Sequence, residues 1–410
     1  SGSPGPVHLQ FQGNEGQVDL GEADLEKRTD MRFTNVPPFR PQGEERDILA
    51  ALDILQKAKR PVIISGGGVK YSKASAALTQ FAEGLNIPVA TSLNGKDTFL
   101  ANHPLSAGVV GTYSRGSANQ IVKNADTVCF IGTKTGGMTT HFWNVPEVGI
   151  PAIQIDIDPA EIGRNYPLKA SIHADALTVL EKMLILMDTS TGKNRENWAK
   201  ECNRIVSNWY SDFDTLLKSD NVPIRPERLC SELTNLVPSD SLLVVDTGHA
   251  GMGMGGMFDI TSPSQDYIRS AGHLGWAFPA ALGAKCALPQ RPVVCFTGDA
   301  GFWYHIAEIE TAVRWNINSI IVVNNNSAGN QSKTGFDRAY GGAQTEEAKK
   351  MWNFTKVNFA NIANEIGALG LRVEKPGQFG GALDQALEAK RPVIIDVVTD
   401  VDAIAPAAVS

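Results

Sequence analysis

The chain has 410 residues, a formal net charge of −7, and an ordinary balance of 42% hydrophobic to 20% charged residues. This length exceeds what one hydrophobic core usually supports, so we expect two domains and a fragment of a third. The acidic balance argues against nucleic acid or an anionic membrane surface as partner, and no apolar run approaches the ~20 residues that cross a bilayer.

The five cysteines are too scattered to indicate a zinc site or a redox dithiol, because no two of them have CxxC spacing. Cys129 and Cys295 lie within apolar, strand-like runs, which predicts buried and inert thiols. An odd number of cysteines without a pattern is typical of a reducing compartment, and we expect a cytoplasmic protein.

The first segment is short and turn-rich. The chain begins at Ser1 with a turn, a predicted strand at 7–11 (VHLQF) and a second turn. We interpret residues 1–13 as the tail of an earlier domain and expect the whole polypeptide to be longer. Residues 14–45 are charged and contain prolines, which predicts a linker that crosses the surface.

Residues 46–190 are predicted to form a first α/β domain. Helical periodicity begins at Glu45, and apolar strand-like runs then alternate with helical patterns. Such alternation is typical of a doubly wound parallel sheet with a crevice at the strand ends. The predicted strands of this domain are 61–68, 87–93, 125–132 and 151–158.

A second α/β domain is predicted at 226–410, after a polar helical linker at 191–225. Its layout repeats that of the first domain, although the two share no obvious sequence repeat. Its predicted strands are 241–248, 291–299, 317–326 and 391–400, with helices at about 303–315, 356–367 and 379–389.

One motif in the second domain predicts a metal site. The segment GDAGFWYHIAEIETAVRWNINSIIVVNNN (298–326) places Asp299 at the end of one strand and Asn326 at the end of the next. Parallel topology returns both ends to the same edge of the sheet. Magnesium prefers oxygen ligands with a phosphate to complete its shell, and Gly298 and Gly301 let backbone amides approach that phosphate. The sequence therefore predicts a diphosphate held through magnesium.

This segment resembles the cofactor signature of thiamine diphosphate (ThDP) dependent enzymes, GDG followed some two dozen residues later by NN. The chain departs from the signature at Ala300, where the family usually has glycine. The resemblance implies magnesium ligands at Asp299 and Asn326, with the carbonyl of Ala328 as the third protein ligand. The triple asparagine leaves a second register open, with Asn325 and Ser327 as the ligands.

Two further stretches extend the resemblance. VVDTGHAG (244–251) is similar to the family segment that contacts the diphosphate, which implies roles for Gly248 and His249. SAGHLGWAFPAALGAKCALP (270–289) resembles a stretch of acetolactate synthases in which a bulky apolar residue bends the cofactor. That role is implied for Leu274, with Gly272 beneath the pyrimidine. The cofactor-binding set implied by the resemblance is Gly248, His249, Gly272, Leu274, Gly298, Asp299, Ala300, Gly301 and Asn326.

The first domain resembles the middle domain of the same enzymes, through PVIISGGGVK (61–70) and IDIDPAEIGRNY (155–166) among other stretches. Family members use this domain for FAD, as in acetolactate synthase, or for ADP, as in oxalyl-CoA decarboxylase, or leave it empty. The stretch GTKTGGMTTHFW (132–143) departs from the FAD-contacting sequence of acetolactate synthase, which weighs against FAD.

The resemblance also implies partners. GSPGPVHLQF (2–11) is similar to the last strand of the family's pyrimidine-binding domain, which normally carries the glutamate that activates the cofactor. No residue of this chain can be assigned that role, so we expect another domain or chain to supply it. We also expect a homo-oligomer, either a dimer or a tetramer.

The implied function is a ThDP- and magnesium-dependent lyase or carboligase that acts next to a carbonyl, on a 2-hydroxyacyl-CoA or a 2-oxo acid. The stretch EIET followed by Trp315 and Asn316 slightly favours the CoA branch. An acetolactate-synthase-like carboligase is the alternative, and a non-catalytic remnant that binds ThDP is a third possibility. His273 and His305 could move protons in catalysis, although histidines in such positions are often hydrogen-bonded structural groups.

Overall fold

Two six-stranded sheets, each parallel throughout, form the framework of the chain. The computed structural model describes residues 2–5, 7–10, 30–270 and 272–403. Helices cover the sheets, so the prediction of two doubly wound α/β domains is confirmed. None of the helices in these ranges is long and apolar enough to span a membrane.

The first sheet has the strand order β3-β2-β1-β4-β5-β6. Its two central strands, β1 and β4, are buried along their whole length because helices cover both faces. The strands are β1 (Pro61–Ser65), β2 (Val89–Thr91), β3 (Ser106–Val109), β4 (Thr127–Ile131), β5 (Ala152–Asp156) and β6 (Leu168–His173). The helices are α1 (Glu45–Lys57), α2 (Gly67–Tyr71), α3 (Ser75–Leu85), α4 (Gly116–Lys123), α5 (Gly137–Thr140) and α6 (Ala176–Leu186).

A long helix, α7 (Glu196–Leu217), joins the two domains. Its buried face includes Trp198 and Cys202 near its start and Trp209 near its end. Trp198 and Cys202 pack with the first domain, whereas Trp209 belongs to the core cluster of the second. Three short 3-10 helices, at Met31–Thr34, Leu93–Thr98 and Thr189–Arg195, complete the first half of the chain.

The second sheet has the strand order β11-β12-β10-β9-β7-β8. The strands are β7 (Leu242–Val245), β8 (Asp266–Arg269), β9 (Val293–Gly298), β10 (Ile320–Asn325), β11 (Leu369–Val373) and β12 (Val393–Val398). The helices are α8 (Pro226–Leu236), α9 (Gly248–Met257), α10 (Ala277–Ala287), α11 (Asp299–Tyr304), α12 (Glu308–Arg314), α13 (Asn330–Ala339), α14 (Glu346–Lys350), α15 (Phe359–Ile366) and α16 (Gln378–Glu388).

The second sheet changes winding direction between β7 and β9. The chain passes from β7 outward to β8 and then returns to the other side of β7 to form β9. In open parallel sheets, ligands bind in the crevice at the carboxyl ends of the strands that flank such a point. The topology therefore predicts a ligand site at the segments that follow β7, β9 and β10.

Three local predictions were wrong. The strand predicted at 61–68 ends at Ser65, and Gly67 begins helix α2. The stretch predicted as a strand through Gly248 ends at Val245, and Gly248, with a φ of 71°, begins helix α9. The single helix predicted at 303–315 is two helices, because His305 leaves helical geometry with a φ of −133°. The last two breaks lie beside the crevice.

The described part of the first segment pairs with no strand among the described residues. Residues 7–10 are in no strand, with Val7 82% exposed and Leu9 69% exposed. Phe11 and residues 14–29 of the predicted linker lie outside the described residues. The pairing of 7–11 with another polypeptide stays a prediction. Among the cysteines, Cys286 is exposed, whereas Cys129 and Cys295 are buried as expected.

Candidate cofactor and active site

Asp299 lies at the carboxyl end of β9 and is only 2% exposed. Its Oδ1 accepts the N–H of Ala300 at 2.7 Å, and its Oδ2 accepts the N–H of Ala328 at 3.1 Å. Burial raises the pKa of Asp299 to about 6, although these amides partly offset the effect. No lysine, arginine or histidine of the described chain forms an ion pair with it. A buried carboxylate without a cation fits a divalent metal.

The turn after β10 brings a second oxygen to the same place. Ser327 has a φ of 56°, a left-handed conformation that costs about 1–3 kcal/mol for a residue other than glycine. This turn directs the N–H of Ala328 toward both Asp299 Oδ2 and Asn326 Oδ1, each 3.1 Å away. The predicted ligand oxygens of Asp299 and Asn326 therefore converge on one amide.

The side chain of Asn325 is engaged elsewhere. Its Nδ2 donates to Oδ1 of the fully buried Asp396 at 2.8 Å and to the carbonyl of Val357 at 3.0 Å. Its Oδ1 accepts the N–H and the hydroxyl of Ser327, both at 3.3 Å. In this geometry Asn325 ties β10 to β12, whereas Asn326 faces Asp299.

The predicted magnesium shell is poor in carboxylates. No group of three or more histidine, cysteine, aspartate or glutamate side chains suited to a metal exists in the described ranges. One carboxylate, one amide oxygen and one backbone carbonyl would leave positions for phosphate oxygens, which is the arrangement magnesium commonly takes. The donor set thus fits magnesium that is held together with a diphosphate.

Ala300 and Gly301 lie in the first turn of α11, directly after Asp299. Ala300 has a negative φ there, so its methyl group in place of the family's glycine causes no backbone strain. Gly301 has a different reason to be glycine. A Cβ at this position would come within 2.6 Å of Asp246 Oδ2.

Asp246, which the sequence analysis did not identify, organises the centre of the site. It is fully buried at the end of β7 and accepts the hydroxyl of Thr297 at 2.8 Å. Its two oxygens also accept the N–H of Gly275 at 3.0 and 3.1 Å. Burial raises the pKa of Asp246, while hydrogen bonds from Thr247 and Thr297 oppose the shift. The signal in the sequence was an aspartate directly after an apolar strand.

Leu274 and Gly248 face each other across the crevice. The Cδ1 of Leu274 lies 3.8 Å from where a Cβ on Gly248 would be. Leu274 is half-buried, and its loop is fixed through the neighbouring Gly275. The residue predicted to bend the cofactor therefore lies beside the residue predicted to contact its diphosphate.

Four other predicted residues border this crevice. His249 begins α9 with its Nδ1 buried and without a hydrogen-bond partner in the described chain, and burial lowers its pKa. His273 is exposed, and its Nδ1 lies 3.1 Å from the carbonyl of Leu274. His305 packs against Gly275, whereas Gly272 is exposed with a φ of 117°. None of the three histidines is locked in an ion pair among described residues.

A second cavity of about 440 Å³ lies between the domains. Its lining includes Lys134 and Asp156 from the first domain and Arg269 from the second. The glycine turn after β1 is closed by backbone packing. Gly66 N–H donates to Ile131 at 2.9 Å and Gly68 N–H donates to Gly132 at 2.8 Å, so neither amide is free to hold a phosphate.

Comparison with known protein families identifies both domains. Residues 48–183 match the family described as thiamine pyrophosphate enzyme, central domain. Residues 246–397 match the thiamine pyrophosphate enzyme C-terminal binding domain. The second match begins at Asp246 and contains Asp299 and Asn326, so the crevice lies entirely within it.

Individual relatives align along almost the whole chain. A probable acetolactate synthase large subunit of Methanococcus aeolicus is 31% identical, over 98% of this chain and 68% of the relative. A glyoxylate carboligase of Escherichia coli is 30% identical, over 98% of this chain and 68% of the relative. An acetolactate synthase isozyme 3 large subunit of Escherichia coli is 28% identical, over 98% of this chain and 69% of the relative.

Proposed function

The chain belongs to the thiamine pyrophosphate-dependent enzymes, and from this premise we propose that it is a carboligase that joins 2-oxo acids with loss of CO2. The observation that carries the proposal is the meeting of Asp299 and Asn326 on the Ala328 amide, beside Gly248 and Leu274. The names of the relatives, acetolactate synthase and glyoxylate carboligase, support a 2-oxo acid as the substrate.

When bound, ThDP supplies the carbon nucleophile and the electron sink that this chemistry needs. The protein groups have separate tasks in our proposal. Asp299, Asn326 and the carbonyl of Ala328 would hold magnesium, and Gly248 and His249 would lie next to the diphosphate. Leu274, whose loop is held by Asp246, would pack against the bound cofactor.

Two histidines are proposed to handle protons. His273 and His305 lie on either side of the Gly275 loop, at the rim of the crevice. Either imidazole could hold or deliver a proton, because a neutral imidazole has one donor and one acceptor nitrogen. The activating glutamate is proposed to come from another domain or chain, in a homo-oligomer. Two of the relatives are named as large subunits, which supports an assembly of several polypeptides.

The remaining functional hypotheses stay predictions. A 2-hydroxyacyl-CoA substrate rests on the EIET stretch in α12, and a cytoplasmic location rests on the cysteine pattern. ADP or FAD in the interdomain cavity is supported by the carboxylate of Asp156, which lines this cavity and could accept a ribose hydroxyl. The engaged amides of Gly66 and Gly68 count against a phosphate at the adjacent turn.

The test combines cofactor binding with product analysis. Calorimetric titration of the full chain with ThDP should show binding that requires magnesium. With pyruvate or glyoxylate, and with any copurifying partner retained, CO2 and a carbon–carbon ligation product should appear. Asp299→Ala should weaken magnesium-dependent ThDP binding by at least about 100-fold, because it removes the anionic ligand.

Asp384→Asn provides the control, because this aspartate is exposed on α16 and remote from the crevice. It should leave ThDP affinity unchanged. ThDP affinity that is equal in the parent and in Asp299→Ala would overturn the metal assignment. ThDP binding without any ligation product from either acid would overturn the carboligase proposal and favour a non-catalytic role.

A further inference from the structure

Arg269, the last residue of β8, is partly buried and forms no ion pair with the described residues. It lines the cavity between the domains. Its Nε is buried and has no hydrogen-bond partner among the described residues. One terminal N–H group reaches the hydroxyl of Thr247 at a long 3.5 Å. The guanidinium otherwise lies over the ring of Tyr113, 5.8 Å from its centroid.

Other interior arginines of this chain are fully satisfied. Arg115 pairs with Asp259 and donates to the carbonyl of Gly256 at 2.6 Å. Arg195 donates to three backbone carbonyls, at 2.5, 2.8 and 3.1 Å. The carboxylate that interacts electrostatically with Arg269 is Asp246, which already accepts hydrogen bonds from Gly275 and Thr297. Partial burial of a cation that has no anionic partner among the described residues is costly, so the position of Arg269 suits an added anion.

The position of Arg269 restricts which anion that is. Thr247, which it touches, directly precedes Gly248, and Gly248 faces Leu274. Arg269 therefore lines the cavity on the side that adjoins the cofactor crevice. The cavity lining also carries the carboxylate of Asp156, which repels a polyanion, whereas that of Asp175 is paired with Arg40. At the glycine turn after β1, the amides of Gly66 and Gly68 are already engaged. A single carboxylate fits this environment better than a phosphate chain.

We propose that Arg269 binds the carboxylate of a 2-oxo acid where the interdomain cavity meets the cofactor crevice. This inference rests on the proposed function and adds the residue that selects acids over neutral carbonyl compounds. The planar guanidinium can bind a carboxylate through two parallel hydrogen bonds. Tyr113, from the middle domain, supports the guanidinium from one side, so both domains contribute to substrate recognition.

The experiment measures binding without turnover. The probe is oxamate, an unreactive isostere of pyruvate, with oxamide as its neutral counterpart, titrated into the magnesium–ThDP-loaded full chain by ligand-observed NMR. Arg269→Gln should weaken oxamate binding by about 10- to 100-fold, the loss expected for one charge-assisted pair, and leave oxamide unaffected. The oxamate affinity of Arg269→Lys should lie between those of the parent and Arg269→Gln, because lysine keeps the positive charge but cannot form two parallel hydrogen bonds.

Two controls separate this role from a structural one. Lys134→Gln removes another cation from the cavity lining, but Lys134 is exposed and lies 3.5 Å from Glu161, so oxamate affinity should not change. Without ligand, the thermal midpoint of Arg269→Gln should equal or exceed that of the parent, because an unpaired buried charge is removed. A lower midpoint together with unchanged oxamate affinity would identify Arg269 as a structural group and overturn the proposal.

The remaining outcomes distinguish this inference from the proposed function. If Arg269→Gln retains the parent's oxamate affinity and its KM for pyruvate, the inference fails and the carboligase proposal stands. If oxamate binding depends on Arg269 but no ligation product forms, the carboxylate site stands and the carboligase proposal fails. Absence of oxamate binding to the parent overturns the inference. A loss of ThDP affinity alone would also overturn it, because Arg269 would then hold the diphosphate.

Discussion

The carboxylate of Asp246 holds the backbone N–H of Gly275 with both of its oxygens, at 3.0 and 3.1 Å. This contact joins the end of β7 to the loop that carries Leu274. The loop has few other restraints in the described chain, and Gly272 and His273 within it are exposed. The position of Leu274 therefore depends on a buried carboxylate that has no role in holding the metal.

Asp246→Asn should lower turnover at least about tenfold, while ThDP affinity changes much less. An amide offers one acceptor oxygen and places an NH2 group near the Gly275 N–H, so the loop loses its fixed position. Thr297→Val is the matched control, since it removes one donor to Asp246 but keeps the bond to Gly275. Steady-state kinetics with parallel ThDP titration checks this. Equal loss of turnover in both variants would contradict it.

Leu274→Ala should reduce turnover far more than ThDP affinity, because it loosens the geometry of the cofactor rather than its phosphate anchor. Leu274→Met should restore most of the turnover, since methionine supplies similar volume. The comparison needs kcat and the dissociation constant of ThDP for the three proteins. Parallel losses of kcat and affinity would indicate that Leu274 is an ordinary core residue.

Helix α9 contains glycines at 251, 253, 255 and 256, and substitutions there should have opposite effects on stability. A Cβ at Gly251 would come within 2.6 Å of the carbonyl oxygen of Asp246, so Gly251→Ala should destabilise the protein. A Cβ at Gly253 would meet only Cys230 Sγ, at 3.6 Å. Gly253→Ala should therefore raise the free energy of unfolding by about 0.5–1 kcal/mol through helix propensity. Urea unfolding measures both, and a destabilised Gly253→Ala would contradict the packing argument.

Lys96 should make stability depend on pH above neutrality. Burial, assisted by the charge of Arg115, lowers its pKa to about 7, whereas the unfolded chain keeps the ordinary value of 10.5. The unfolded state thus binds more protons between these values, and this contribution to stability rises with pH from about 7 to 10.5. Lys96→Met should lose that rise, and Lys200→Met, on the exposed face of α7, should retain it. Urea midpoints at several pH values test this. Parallel pH curves for the parent and Lys96→Met would refute the prediction.

Much of the fold was predictable because its central strands are apolar on both faces. β1, β4, β9, β10 and β12 each give an apolar run of strand length, and all were predicted. The strands missed were β3, β6, β8 and β11, which occupy the edges of the two sheets. In β6 exposed and buried residues alternate for most of its length, so only one of its faces is marked by apolar residues.

The site was predictable only where its residues cluster in sequence. Asp299 and the asparagines lie at the two ends of a single strand–helix–strand unit, so their meeting followed from parallel topology. Asp246, Arg269 and Lys96 act through partners that lie 29, 22 and 159 positions away. Their roles depend on burial and on which neighbouring groups lack a hydrogen-bond or ionic partner. Neither property can be deduced from a local sequence pattern.

The middle domain also holds the far end of helix α9. Lys96 donates to the carbonyl of Gly255 at 3.0 Å, and Arg115 donates to that of Gly256 at 2.6 Å, while the other end of the helix presents Gly248 and His249. The position of α9 therefore depends on both domains. Replacement of the middle domain by a foreign one should release this end of the helix unless cations lie at the positions of Lys96 and Arg115.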